Sequence, residues 1–309
     1  MLEPRGEELV LRYKANYGIS DDVIVTETMI LQHWTLEKRL RHDLLASTPE
    51  NRWEVFEKAY DELYSDISWL TELTNSGSEI DDRVSAYHLW ERIIGKPPQK
   101  VYEIGSGRGE LISYLAQHGF ECKATEITQE RGKKWADESV NMSWGTSDGI
   151  HLDRFEPPVT YDVIITNQVV EHMHPDDVLD HMKSSCVILK PGGRYILSTP
   201  HYADGPTDIT GIFGYDELMA MHLKEYTYAE LRRMLLQSGY RRIYSVLRLP
   251  RRMRQIIDIP PLVSRVFLYY LIFFEQILAI MPSQTLRRSM ARFAKALLFT
   301  TTIILVAEK

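Results

Sequence analysis

The residues best suited to chemistry begin at Glu103-Ile104-Gly105-Ser106-Gly107-Arg108-Gly109. Glycines between a strand and a helix let main chain approach a ligand closely, and amides at a helix start attract an anionic group. A dinucleotide-binding loop would place its third glycine at position 110. That position is Glu110, and the third glycine is Gly109. The acid Glu103, two residues before the first glycine, suits a ligand with a cationic end as well as a carboxylate. Glu126 closes the next strand-like segment, where a carboxylate can accept from both hydroxyls of a ribose. Asp148, in Gly145-Thr-Ser-Asp-Gly149, could accept from an exocyclic amino group, or simply form an Asp-Gly turn. Asn167 and Gln168 follow another strand-like run. Groups able to take a proton come after them: Glu171, His172, His174, His201, Tyr202 and His222. An imidazole titrates near neutrality, at about 6.5, so any of the histidines could serve at cellular pH.

These residues need a frame. Up to about residue 95 apolar residues recur at helical spacing, as in Arg52-Trp-Glu-Val-Phe-Glu-Lys-Ala-Tyr, and Thr48-Pro49 reads as a helix start. Thr74-Asn-Ser-Gly-Ser-Glu79 is a polar break. After Lys96-Pro97-Pro98 strand-like and helix-like segments alternate. Strands are expected over 100–104, 121–126, 141–144, 161–166, 194–199, 241–249 and 300–306. Helices are expected over 109–118, 129–139, 175–188 and 227–238. Such alternation implies βαβ units and a mostly parallel sheet covered on both faces. Ligands in such sheets bind at the carboxyl ends of the strands, where the candidate residues fall.

The order Glu-x-Gly-x-Gly-x-Gly, strand-end acid, Asp-Gly, Val170-Glu-His172, Leu189-Lys-Pro-Gly-Gly193 and Glu225-Tyr-Thr227 resembles class I methyltransferases that use S-adenosylmethionine (SAM), over roughly 96–250 plus the final strand. Within that superfamily the chain is similar to the ubiquinone and small-molecule type. The resemblance implies an α/β fold with a seven-stranded, mostly parallel Rossmann-like sheet. It also implies SAM as cofactor, with Glu103, Gly105, Gly107, Glu126, Asp148 and Asn167 lining its pocket and Gln168 beside them. Glu171, His172, His201 and His222 are then the candidate catalytic residues. A base is needed only if the acceptor keeps its proton until attack. The pair Glu171-His172 with a later His222 also resembles part of the metal site of methyltransferases that modify small-RNA 3′ ends. That family has a Glu three residues before the pair; this chain has Gln168, a weaker ligand, so no metal is expected.

The expected domains are a helical extension (1–95), a SAM-binding core (96–250 and 299–309) and a helical insertion (251–298). The insertion holds eight basic residues against Asp258 and Glu275, so the rest of the chain is more acidic than the net charge of −7 suggests. Mixed with Val266-Phe-Leu-Tyr-Tyr-Leu-Ile-Phe-Phe274, the arginines suit a membrane-surface contact, a lid over an apolar acceptor, or a homodimer face. The apolar run is too short to span a bilayer. An acidic chain whose basic residues sit among bulky aliphatics does not favour nucleic acid. Two distant cysteines, Cys122 and Cys186, and no secretory signal indicate a reducing, cytoplasmic setting. The favoured expectation is methyl transfer to a small, lipophilic acceptor, most readily on oxygen. The alternatives are metal-assisted RNA methylation and an inactive SAM-fold scaffold.

Overall fold

The computed structural model describes residues 3–70, 80–128, 141–247, 262–294 and 300–309. In chain order the elements are helices α1 (Gly6–Tyr17), α2 (Glu27–Ala46), α3 (Arg52–Asp66) and α4 (Ile80–Ile94), strand β1 (Lys100–Ile104), helix α5 (Glu110–Gln117), and strands β2 (Glu121–Glu126), β3 (Met142–Thr146) and β4 (Tyr161–Asn167). Helix α6 (Val178–Ile188), strand β5 (Leu189–Pro200), helices α7 (Ile209–Ile212) and α8 (Tyr228–Gln237) and strands β6 (Arg242–Leu247) and β7 (Leu262–Ser264) follow. Helices α9 (Arg265–Ala279) and α10 (Gln284–Ala294) and strand β8 (Thr302–Glu308) complete them. The helix expected over 129–139 and the break at 74–79 lie outside the described residues.

Two compact units divide the chain: Met1–Ala86 with Gly205–Lys224, and Tyr87–Asp204 with Glu225–Lys309. The first boundary falls inside α4 rather than at 95. Residues 205–224, expected in the core, belong to the helical unit.

In the helical unit, α1 ends where Gly18 takes a left-handed conformation (φ 64°) and donates to Lys14 O. Thr26 caps α2 by accepting from Met29 N at 3.3 Å. Helix α3 starts after Asn51 and not at Thr48-Pro49, because Asn51 Oδ1 accepts from Thr48 N at 2.8 Å and closes a turn first. Leu9, Tyr13, Ile30 and Trp34 are buried, and Phe213 stacks on Trp34 with centroids 4.5 Å apart. Each such burial stabilises by about 1.5–3 kcal/mol. A polar chain crosses this core: Tyr13 OH lies 2.7 Å from His33 Nδ1, and His33 Nε2 lies 2.6 Å from Glu37 Oε1. Glu37 Oε2 accepts from Met221 N at 3.2 Å, which ties the 205–224 segment to α2.

The sheet unit holds eight strands in the order β3-β2-β1-β4-β5-β8-β6-β7. Strands β3 to β5 are parallel, β8 is antiparallel to β5 and β6, and β7 is antiparallel to β6. The strand beyond the expected seven is β7, a three-residue edge strand that begins the described part of the insertion, so 251–298 is not helical throughout. Alternation along the strands builds two cores. Tyr102, Ile164, Tyr195 and Leu197 face one core with α6, α8 and α9, while Val101, Val163, Ile165 and Ile196 face the other with α4 and α5. Buried on both faces, β4 carries the continuous apolar run Val163-Ile-Ile165, while Glu103 interrupts β1. Pro191-Gly192-Gly193 follows the end of α6 at Ile188. It lies within β5, where the pairing with β4 jumps from Tyr161↔Leu189 to Val163↔Arg194. The strand order reverses between β1 and β4, and crevices at such switch points take ligands.

Candidate active site

Glu103 is the fourth residue of β1 and is buried; its Oε2 meets no hydrogen-bond donor among the described residues. Leaving a buried carboxyl oxygen unmatched is costly, and a cationic ligand is its natural complement. Burial, reinforced by the negative charge of Glu126, pushes the Glu103 carboxyl up to about 8.

The turn after β1 is anchored to β2. Gly105 N and Ser106 N both donate to Thr125 O, at 2.9 and 3.1 Å, and Ser106 Oγ donates to Glu103 O at 3.0 Å. Gly107 N donates to Glu126 Oε1, and Ile127 N donates to Glu126 Oε2 at 3.3 Å. Glu126 therefore faces the glycine turn, as its place at the end of β2 predicts. Burial lifts its carboxyl to about 7, against those two donors, which favour the charged form.

The glycines are required by more than ligand approach. Gly105, Gly107 and Gly109 all have left-handed φ, at 67°, 59° and 70°. A Cβ at Gly105 would lie 2.7 Å from Val169 Cγ2, and one at Gly109 would lie 2.5 Å from Trp144 Cζ2. Neither Val169 nor Trp144 carries a sequence signal for this role, because the approach exists only in three dimensions.

Asp148 forms a turn. Its Oδ1 accepts from Ile150 N and His151 N, both at 2.8 Å, and His151 Nδ1 lies 2.8 Å from Oδ2. One lone-pair direction on Oδ2 remains for an amino group. A histidine not singled out from the sequence holds this turn. His181 Nδ1 donates to Gly149 O at 2.5 Å, and Tyr195 OH donates to His181 Nε2 at 2.8 Å. Burial keeps His181 neutral by lowering its pKa to about 4, and Thr166 Oγ1 completes the chain 2.7 Å from Tyr195 OH.

Asn167 ends β4, paired with Ser198 of β5. Gln168 has a left-handed φ of 59°, a strained conformation for a residue with a side chain. Its main-chain N donates to Ser198 O at 2.9 Å and its Nε2 to Ser198 Oγ at 3.0 Å. Its amide nitrogen is thus turned to β5. Glu171 is fully buried and accepts from Thr199 Oγ1 at 2.9 Å; half-buried His172 follows it.

His201 is not available as the expected base. Its Nδ1 accepts from Ala203 N at 3.0 Å, so its Nε2 carries the proton and points to Glu275 Oε2 at 3.2 Å. His174 is likewise committed, accepting from Asp176 N at 3.3 Å. His222 belongs to the helical unit, where its N donates to Asp208 Oδ2 at 3.1 Å and its Nδ1 lies 3.3 Å from Thr207 Oγ1. Cys122 and Cys186 are both buried, and burial pushes the Cys122 thiol up to about 12.

An orphaned acid beside a glycine cradle facing a strand-end acid fits an amino-acid-bearing sulfonium nucleoside. A family model described as a methyltransferase domain matches residues 78–245, more than half of the chain, and the chain belongs to that family. Its sheet order and glycine turn are those of the class I SAM-dependent methyltransferase fold. Among curated proteins it is similar to (S)-tetrahydroprotoberberine N-methyltransferase of Eschscholzia californica, 30% identical over 105 residues. That match covers 32% of this chain and spans only 30% of the relative's length. Among solved structures it is similar to a SAM-dependent methyltransferase from Archaeoglobus fulgidus (TM-score 0.52, 18% identity, 78% of this chain and 99% of that one). It is also similar to 1,6-didemethyltoxoflavin-N1-methyltransferase of Burkholderia thailandensis, solved with its substrate and S-adenosylhomocysteine (TM-score 0.52, 16% identity, 85% and 91%). At these identities the likeness is one of fold.

Proposed function

We propose that the chain methylates a small, lipophilic acceptor on oxygen. One observation carries the choice of a small molecule over nucleic acid. Glu103, Glu126, Asp148 and Glu171 all stand at or just beyond the carboxyl ends of β1 to β4. Buried acids of this kind offer nothing to a phosphate backbone and suit a neutral or cationic partner.

In this reading Glu103 Oε2 receives the cofactor's ammonium group and Glu126 the two ribose hydroxyls, with Gly107 N released to a ligand oxygen. The open position on Asp148 Oδ2 receives the adenine amino group, and Asn167 lines the floor. When bound, SAM supplies an electrophilic methyl group. The chain's own work is to orient the acceptor and accept its proton. Glu171 and His172, a carboxylate and an imidazole at the exit of β4, are the groups that receive the proton of a hydroxyl. His201 takes no part.

A second reading, transfer to nitrogen, is favoured by the curated relative, whose name describes an N-methyltransferase. A neutral amine attacks with its lone pair and needs no base beforehand, so this reading predicts only a small effect of His172→Ala. The test is incubation with methyl-labelled SAM and cell extract, followed by NMR of the labelled product. An oxygen-bound methyl in the organic phase is expected. A nitrogen-bound methyl would establish the second reading, and label confined to RNA would overturn both.

A further inference from the structure

Helix α9 is apolar nearly all round, which is ordinary for a fully buried helix and unusual for one on a surface. One side, with Leu268, Leu271 and Leu278, is buried in the core of the sheet unit. The other side is open. Val266, Tyr269, Phe273, Ile277 and Ile280 recur every three or four residues and so form one stripe. Their exposures run from 38% at Ile277 to 81% at Ile280. Helix α10 repeats the pattern with exposed Leu286, Met290 and Phe293, over buried Ala291 and Ala294. Arg287 Nε donates to Leu278 O at 3.3 Å and ties α10 to the end of α9.

Along these two helices the exposed charge has one sign. Between residues 265 and 294 the sole acid is Glu275, and it is buried. Arg265, Arg288 and Arg292 lie on the two helices, with Asp204 beside Arg292. Arg232 of α8 sits over the Tyr269 ring at 5.2 Å and donates to its hydroxyl at 3.0 Å. Aromatic and aliphatic side chains beside arginines, without exposed carboxylates, have the composition of an interfacial helix. No helix among the described residues is long and apolar enough to cross a membrane.

We propose that the outer face of α9 and α10 docks on an anionic lipid surface, the apolar stripe entering the headgroup boundary and the arginines meeting lipid phosphates. A second copy of the chain is the poorer occupant. A two-fold contact through this face would gather arginines from both copies, and neither α9 nor α10 offers an exposed acid to offset them. The inference stands apart from the choice of acceptor.

The experiment is flotation of the full chain with vesicles of phosphatidylcholine alone or mixed equally with phosphatidylglycerol. Binding to the mixed vesicles is expected, and raising salt should weaken it. The paired change Phe273→Glu and Ile280→Glu touches exposed positions, so the fold should survive. Thermal melting and S-adenosylhomocysteine binding check this. The pair should lower vesicle affinity by about tenfold or more. Failure of the unaltered protein to float with anionic vesicles at low salt would overturn the proposal. So would a stable dimer in light scattering that the paired change turns into a monomer.

Discussion

Glu275 and His201 meet in the interior of the sheet unit, with Oε2 3.2 Å from Nε2. The same carboxylate accepts from Tyr228 N and Ala229 N, both at 2.8 Å, and so closes the first turn of α8. An acid at that end also complements the helix dipole. The insertion is therefore bonded into the sheet unit through one buried residue that interrupts an otherwise apolar run.

Replacing Glu275 by Ala should leave two helix amides and an imidazole N–H unmatched in the interior, at about 3 kcal/mol. Chemical denaturation measures this directly. His201→Gln should lower stability less and keep kcat within about twofold of the unaltered enzyme. A large loss of kcat with unchanged melting would instead return His201 to the chemistry.

The two acids of the cofactor pocket give a pH dependence with a definite sign. Glu103 and Glu126 hold protons up to about 8 and about 7 in the folded protein, above the ordinary value of 4.5. A raised folded-state value means that the stabilising contribution is complete below 4.5 and fades as pH climbs through 7 and 8. The ligand-free protein should therefore lose melting temperature between about pH 4.5 and pH 8 and level off above it. Glu103→Gln should flatten that loss while weakening S-adenosylhomocysteine binding. Parallel melting curves for the two proteins would show that Glu103 does not carry the shift.

Gly109→Ala should cost about 2 kcal/mol from backbone strain alone, since φ is 70° there. Contact with Trp144 should add to this. Pairing it with Trp144→Ala separates the two causes: the clash is relieved and the strain persists, so only part of the loss returns. Unfolding midpoints of the three variants provide the measurement. Equal stability of Gly109→Ala and the unaltered protein would contradict the geometry of the turn.

The sequence showed β4 because a parallel strand buried on two faces leaves an unbroken apolar run, here Val163-Ile-Ile165. It showed Glu103 because the acid stands two residues before the first glycine, and Glu126 because it closes the strand that follows the glycine-led helix. Other features have no local signature. The partner that removes His201 from the candidate bases lies 74 residues away. The left-handed Gln168 gives no glycine to betray it, and β7 is three residues long. Asn51 displaced Thr48 as the start of α3 because two plausible caps stood three residues apart, and only the turn between them decided.

The excursion of residues 205–224 also bears on how the protein can be cut. Ile209, Ile212 and Phe213 are covered from within the unit that begins the chain. A fragment started at Tyr87 to isolate the sheet would keep these side chains and discard Trp34, on which Phe213 stacks. Its modules are not consecutive in the chain, so a clean dissection would have to replace the 205–224 stretch with a short bridge as well as trim the front.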